Sequence, residues 1–203
     1  MIEYDPTTAL VVVDMQNDFA DPMGGLAVAG GEAVVAPING EIGRACAAGA
    51  FVALTQDWHP ERTPHFAKDG GIWPVHCVAD TWGAAFHPGL EVPHGSPIVR
   101  KGSNGEDGYS GFTMRDPATG ETRPTELEAL LRERGIERIV LCGLATDYCV
   151  KATALDAVRL GFRTFLVADA ISAVELQPGD GRRALDDMIE AGAVLVAAVS
   201  DGR

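Results

Sequence analysis

At four places a helical stretch stops at a glycine just before a short apolar run: Ala48-Gly49, Arg134-Gly135, Leu160-Gly161 and Ala191-Gly192. Glycine ends helices because it enters the left-handed region without a Cβ penalty. The runs that follow cover residues 51–55, 139–142, 164–168 and 194–198, and two more lie at 9–13 and 97–100. Most are almost continuously apolar instead of alternating, which is the pattern of parallel strands covered on both faces. Helical patterns fill residues 32–48, 126–134, 148–160 and 181–191. Strand, helix and strand in repeated succession predict an α/β fold, a doubly wound and mainly parallel sheet of about six strands with right-handed crossovers. One domain spanning residues 1–203 accommodates all of it.

Composition narrows the function classes. Hydrophobic residues make up 46% and charged residues 22% of the chain, so it can bury a core and is not a disordered segment. No apolar run approaches the roughly 20 residues that a spanning helix needs. Glu3 and Asp5 precede the first apolar run, where a secretory signal would carry basic residues, so no export and a cytoplasmic location are expected. A net charge of −13 repels nucleic acids and anionic membranes, leaving a small molecule as the expected partner. Cys46, Cys77, Cys142 and Cys149 form no CxxC pair and read as reduced thiols.

In open parallel sheets, ligands bind beyond the carboxyl ends of the strands. The first run ends at Asp14, which is either a turn aspartate or a base whose pKa burial can raise. The second runs into Asp57 and His59, which share one side of an extended segment. His65 and His76 follow within residues 58–97, an irregular stretch that holds all five histidines. An aspartate and two imidazoles suit zinc, iron or manganese; hydrogen-bonded loop histidines are the alternative. Lys101 sits at the end of the third run, as a surface charge or as a cation that favours a nearby thiolate. After the fourth run comes GLATDYCV, a turn into a helix whose first turn contains Cys149. There the helix dipole would lower the thiol pKa and free N–H groups would form an oxyanion hole, unless Cys149 is merely a buried structural residue.

VVVDMQNDF, QDWHPERTPHF, WPVHC, KG at Lys101, YSGF at residues 109–112 and GLATDYCV occur here in that order. In these motifs the chain resembles the nicotinamidase/pyrazinamidase branch of the isochorismatase-like cysteine hydrolases. The resemblance implies a catalytic set of Asp14, Lys101 and Cys149, and a divalent metal held by Asp57, His59 and His76 with waters. It further implies a cis peptide at Leu144–Ala145, oxyanion donors at Ala145 and Cys149, and aromatic walls of Phe19, Trp73 and Tyr109 around nicotinamide. His65 matches a position that is a ligand in some members only. Assembly into homo-oligomers stays open.

Two segments depart from the family pattern. Glu106 and Asp107 follow the lysine and are expected to form an acidic lid, and residues 114–123 read as a turn-rich surface loop without an assigned role. An isochorismatase or N-carbamoyl amidase would share the acid–lysine–cysteine logic without the metal cluster. A non-catalytic ligand-binding protein or thiol sensor would leave the three residues without a task.

Overall fold

The computed structural model describes residues 2–197. In chain order the elements are β1 (Thr8–Val13), α1 (Asn17–Ala20), α2 (Val35–Ala47), β2 (Phe51–Asp57), β3 (Ile98–Lys101), β4 (Thr113–Arg115), β5 (Thr122–Pro124), α3 (Leu127–Glu133), β6 (Arg138–Leu144), α4 (Lys151–Arg159), β7 (Arg163–Ser172), α5 (Asp180–Ala191) and β8 (Val194–Val196). Six strands form one parallel sheet in the order β3-β2-β1-β6-β7-β8. The expected doubly wound α/β sheet is therefore present.

Strand β1 shows why its sequence lacks alternation. All six residues are buried, and successive side chains enter opposite layers. Leu10 and Val12 pack with Ile38 and Ile42 of α2, whereas Ala9, Val11 and Val13 pack with Leu127 and Leu131 of α3 and Ala154 of α4. Fully burying each valine or leucine is worth roughly 1.5–3 kcal/mol, so both layers favour an apolar strand.

The chain winds outward from β1 in two directions, and β1 and β6 are paired at the reversal. Such a switch point opens a crevice beyond the carboxyl ends. Register fixes what borders it: Asp57 pairs with Lys101 at the ends of β2 and β3, and Val13 pairs with Gly143 near the ends of β1 and β6. Gly143 has φ +116°, and a Cβ there would stand 2.0 Å from the Val13 carbonyl oxygen. Gly143→Ala is therefore expected to destabilise the fold by about 2–3 kcal/mol, because neither backbone can withdraw from the central sheet. Denaturant unfolding of the purified variant would check this, and a parental midpoint would contradict it.

Several boundaries differ from the sequence expectation. The helix expected from Glu32 opens with a 3-10 turn at Glu32–Val34 before α2 begins. The helix expected from Tyr148 opens with a π-helical turn at Thr146–Val150 and continues as α4. Residues 114–123, expected as a turn-rich surface loop, contribute to a hairpin of the two short strands β4 and β5. Its turn is built on Asp116, whose carboxylate accepts the N–H groups of Ala118 and Thr119, with Gly120 at φ +74°. The last expected strand reached Ala198, which lies outside the described residues. Among the described residues, no helix is long and apolar enough to cross a membrane.

Candidate active site

Four strand ends bring one charged network together. Asp14 follows β1 with φ +47°, and its backbone N–H donates to Thr55 Oγ1 at 3.2 Å. The Thr55 hydroxyl donates back to Asp14 Oδ1 at 2.6 Å. Lys101 Nζ donates to Asp14 Oδ2 at 2.7 Å, to Asp57 Oδ1 at 2.6 Å and to the Gly108 carbonyl. An ammonium has three protons, so these oxygens occupy all of them. Cys149 Sγ lies 3.8 Å from the same nitrogen, a longer and weaker contact that still places the sulfur beside its charge. Lys101 is fully buried, which corrects any reading of it as a surface charge.

The two carboxylates are driven apart in acidity. Burial opposes ionisation of Asp57, but Lys101 and His59 hold its carboxyl well below the usual range. Burial is also the main influence on Asp14, pushing it up to about 6 despite Lys101, with the Asp57 charge adding to the rise. Divergent pKa values of paired acids separate a permanent anion from a group that can exchange protons. Lys101 stays protonated: burial disfavours its charge, but Asp14 and Asp57 raise its pKa well above the ordinary value.

Cys149 occupies the π-helical turn after β6, and one oxygen of Asp14 and one of Asp57 lie within 4.8 Å of its sulfur and of each other. The lowered thiol pKa expected at a helix start is not found. Burial pushes the Cys149 thiol up, Lys101 opposes the shift, and the Asp14 and Asp57 charges add to it. The resting sulfur is therefore a thiol facing an acceptor. The Leu144–Ala145 peptide is cis. The Ala145 carbonyl accepts from the Tyr148 and Val150 N–H groups, on either side of Cys149.

His59, His65 and His76 are buried and present ring nitrogens within 4.8 Å of one another. His76 Nδ1 donates to the Pro74 carbonyl at 2.8 Å, which leaves Nε2 as a lone-pair donor. Burial lowers the His76 pKa to about 4, so that the ring is neutral. His65 Nδ1 lies 2.8 Å from Asp107 Oδ1. Neither nitrogen of His59 has a hydrogen-bond partner, although both are buried. An orphaned buried polar atom costs about 1–3 kcal/mol unless something else engages it. Three clustered imidazoles, with His76 neutral and His59 orphaned, fit a divalent cation. Asp57 Oδ2, 3.6 Å from His59 Nε2, can complete the set. His65, left open by the sequence, joins the cluster.

A cavity is lined by Cys149 and Ala145 together with Asp57, His65 and His76. Phe19, Trp73 and Tyr109 are among its lining residues. Trp73 Nε1 donates to the Tyr109 hydroxyl at 2.8 Å, which locks two of them together. Sequence reasoning missed four further lining residues, Leu26, Gly108, Tyr148 and Val174. Tyr148 was discoverable from its place beside Cys149, whereas Val174 is held by a bond from its N–H to Asp147, 27 residues away. Neither Glu106 nor Asp107 lines the cavity, which corrects the acidic lid. Glu106 accepts from the Asn104 backbone N–H at 2.9 Å, and Asp107 sits behind His65.

This sheet, with its acid, lysine and cysteine at the ends of three different strands, is matched by a known family model. The Isochorismatase domain matches residues 8–199, and the chain belongs to that family. Within it the chain lies in the nicotinamidase/pyrazinamidase branch. A nicotinamidase of Escherichia coli (strain K12) is 37% identical over 206 residues, covering 94% of each protein. The crystal structure of a Pyrococcus horikoshii pyrazinamidase in complex with zinc is 40% identical, with a TM-score of 0.84 over 95% of this chain and 99% of that one. A structure of PnC1 from L. infantum in complex with nicotinate is 36% identical, with a TM-score of 0.85 over 97% and 96%.

Proposed function

We propose that this protein is a metal-containing cysteine amidohydrolase that converts nicotinamide, and also pyrazinamide, to the acid and ammonia. The observation that carries it is a single aromatic-walled cavity reached both by Cys149 and by His65 and His76 of a buried three-histidine cluster. A cysteine amidase alone needs only the first. An isochorismatase or N-carbamoyl amidase would leave the orphaned His59 nitrogens without a task. The relatives named nicotinamidase and pyrazinamidase, one of them in complex with zinc, support the same function.

The chemistry follows from the proton arrangement. Asp14 accepts the Cys149 proton while Lys101 and Thr55 hold its carboxylate in place. The sulfur attacks the amide carbon, and the N–H groups of Ala145 and Cys149 hold the oxyanion. Asp14 passes its proton to the departing nitrogen, ammonia leaves, and a thioester remains. Water then adds to the thioester carbonyl, giving a proton to Asp14, and the acid departs as Cys149 recovers that proton. Overall one amide and one water become one acid and one ammonia. Asp57, His59 and His76, with His65, would hold zinc, iron or manganese. The ion would offer the pyridine nitrogen an electrophilic partner and so fix the ring with its amide toward Cys149. A cytoplasmic role in recovering the pyridine ring for NAD synthesis fits this chemistry, in a monomer or a homo-oligomer.

Benzamide, which matches nicotinamide in shape but lacks the ring nitrogen, tests the orientation. Turnover of benzamide is expected to be slower by about 100-fold or more, since a site built for a polar atom rejects its absence. Equal rates would remove the metal cluster from substrate selection.

With Asp14 near 6, kcat/KM is expected to fall about tenfold per unit as pH drops below that value, because a protonated carboxyl cannot accept the thiol proton. The linkage to stability has the opposite sign. A raised carboxyl pKa contributes stability that is present below the unfolded value and lost as pH rises through about 6. Acid inactivation in that window is therefore loss of the base and should reverse fully on neutralisation. A pH–rate profile that stays flat from pH 4.5 to 7 would contradict the assignment of Asp14.

A further inference from the structure

Asp107 is the acid that the sequence placed in a lid, and the fold turns it inward. Its Oδ1 lies 2.8 Å from His65 Nδ1, and its Oδ2 lies 3.4 Å from Arg115 Nη1. Its backbone is clamped as well. The Asp107 N–H donates to the Arg115 carbonyl at 2.7 Å, and the Arg115 N–H donates back at 3.3 Å. Arg115 is the last residue of β4, which pairs with β5 through Arg115 and Thr122. The side chains of His65 and Asp107 are both largely shielded from water.

We propose that Asp107 is a positioning residue of the metal site, and that the β4–β5 hairpin exists in part to hold it there. A carboxylate that accepts from Nδ1 fixes the tautomer of an imidazole, keeps its Nε2 lone pair for an ion and raises the basicity of that nitrogen. His65 stacks on His59, with ring centroids 4.7 Å apart and planes 20° apart, so a rotation of His65 would disturb a second imidazole of the cluster. The hairpin, which the sequence left without a function, is thereby tied through Arg115 and Asp107 to the cavity wall that His65 forms. The inference rests on the proposed metal function and extends it to residues that touch neither substrate nor ion.

The test is a zinc affinity, not a turnover rate. Competition with a chromophoric chelator gives the dissociation constant of Zn²⁺ for the parent, Asp107→Ala, Asp107→Asn, His65→Ala and the Asp107→Ala/His65→Ala pair, with thermal melting of each to confirm folding. Asp107→Ala is expected to bind Zn²⁺ roughly 10–100-fold more weakly, the range seen when an outer carboxylate is removed from a metal-bound histidine. Asp107→Asn, which keeps an acceptor oxygen but no charge, should recover part of that loss. In the His65→Ala background, Asp107→Ala should change affinity less than about twofold, because the two act through one ring. Visible spectra of the Co²⁺-loaded proteins should shift for Asp107→Ala and His65→Ala. A folded Asp107→Ala with parental Zn²⁺ affinity would overturn the proposal. So would a loss that persists in full without His65, since the hairpin would then be acting by another route. A parent that binds no Zn²⁺, Co²⁺, Fe²⁺ or Mn²⁺ would instead sink the metal assignment itself.

Discussion

Cys149→Ala is expected to lower nicotinamide turnover by about 10⁴-fold or more while leaving the fold and the metal cluster intact. Removing a nucleophile that acts with a general base costs nearly the whole covalent route, and what survives comes from the oxyanion donors and substrate binding. At about 1.4 kcal/mol per factor of ten, this is roughly 5–6 kcal/mol of barrier. All four cysteines are free, and Lys101 Nζ makes only a long 3.8 Å contact to Cys149 Sγ beside its three oxygen partners. Loss of the Cys149 sulfur should therefore cost stability on the scale of one small buried group, about 1 kcal/mol. Cys77 and Cys142 cannot substitute, since burial pushes both thiols well up and neither lines the cavity. Steady-state rates of parent and variant, with bound metal measured in both, check this. Residual turnover above about 1% of the parent would move the nucleophile away from Cys149.

Lys101→Met should damage both activity and stability. The substitution keeps most of the side-chain volume but leaves Asp14 and Asp57 facing each other in a buried site without their shared cation. Breaking a buried ion pair by removing one partner costs about 3–5 kcal/mol, because the remaining charge is uncompensated. For a chain of this size that corresponds to a fall in Tm of roughly 6–20 °C. The sign of its pH dependence identifies the cause. In the parent, the depressed Asp57 contributes stability that is present above the ordinary carboxyl range and lost on acidification. In the variant both carboxyls would be raised, contributing stability at low pH that is lost as pH rises. The deficit should therefore shrink as pH is lowered from 7 toward 4. A variant that melts at the parental temperature at pH 7 would contradict the ion network as the support of the site. Activity should be lost in any case, because the Lys101 charge holds the Asp14 carboxylate beside the sulfur.

The parts legible in the sequence and the parts hidden from it differ in a physical way. Strands β1, β2 and β6 were readable because burial on both faces leaves nearly unbroken apolar runs. Their ends were less so: Gln56 and Asp57 are polar yet belong to β2, since backbone pairing with β3 continues to Lys101. Asp14, Lys101 and Cys149 were identifiable because each follows or ends an apolar run, and topology alone gathers such positions. Contacts between distant segments left no trace. Thr55 reads as an ordinary strand residue until it meets Asp14, and Asp107 lies 42 residues from His65. The direction of the Cys149 shift was misjudged for the same reason: the helix start is local and visible, whereas burial is set by the whole fold.

The most direct test is to incubate the metal-loaded protein with nicotinamide and quantify ammonia and nicotinate together, beside Cys149→Ala. Equimolar release of both products by the parent, and none above background from the variant, is the predicted result. A folded, metal-loaded parent that releases no ammonia from nicotinamide would contradict the proposed function.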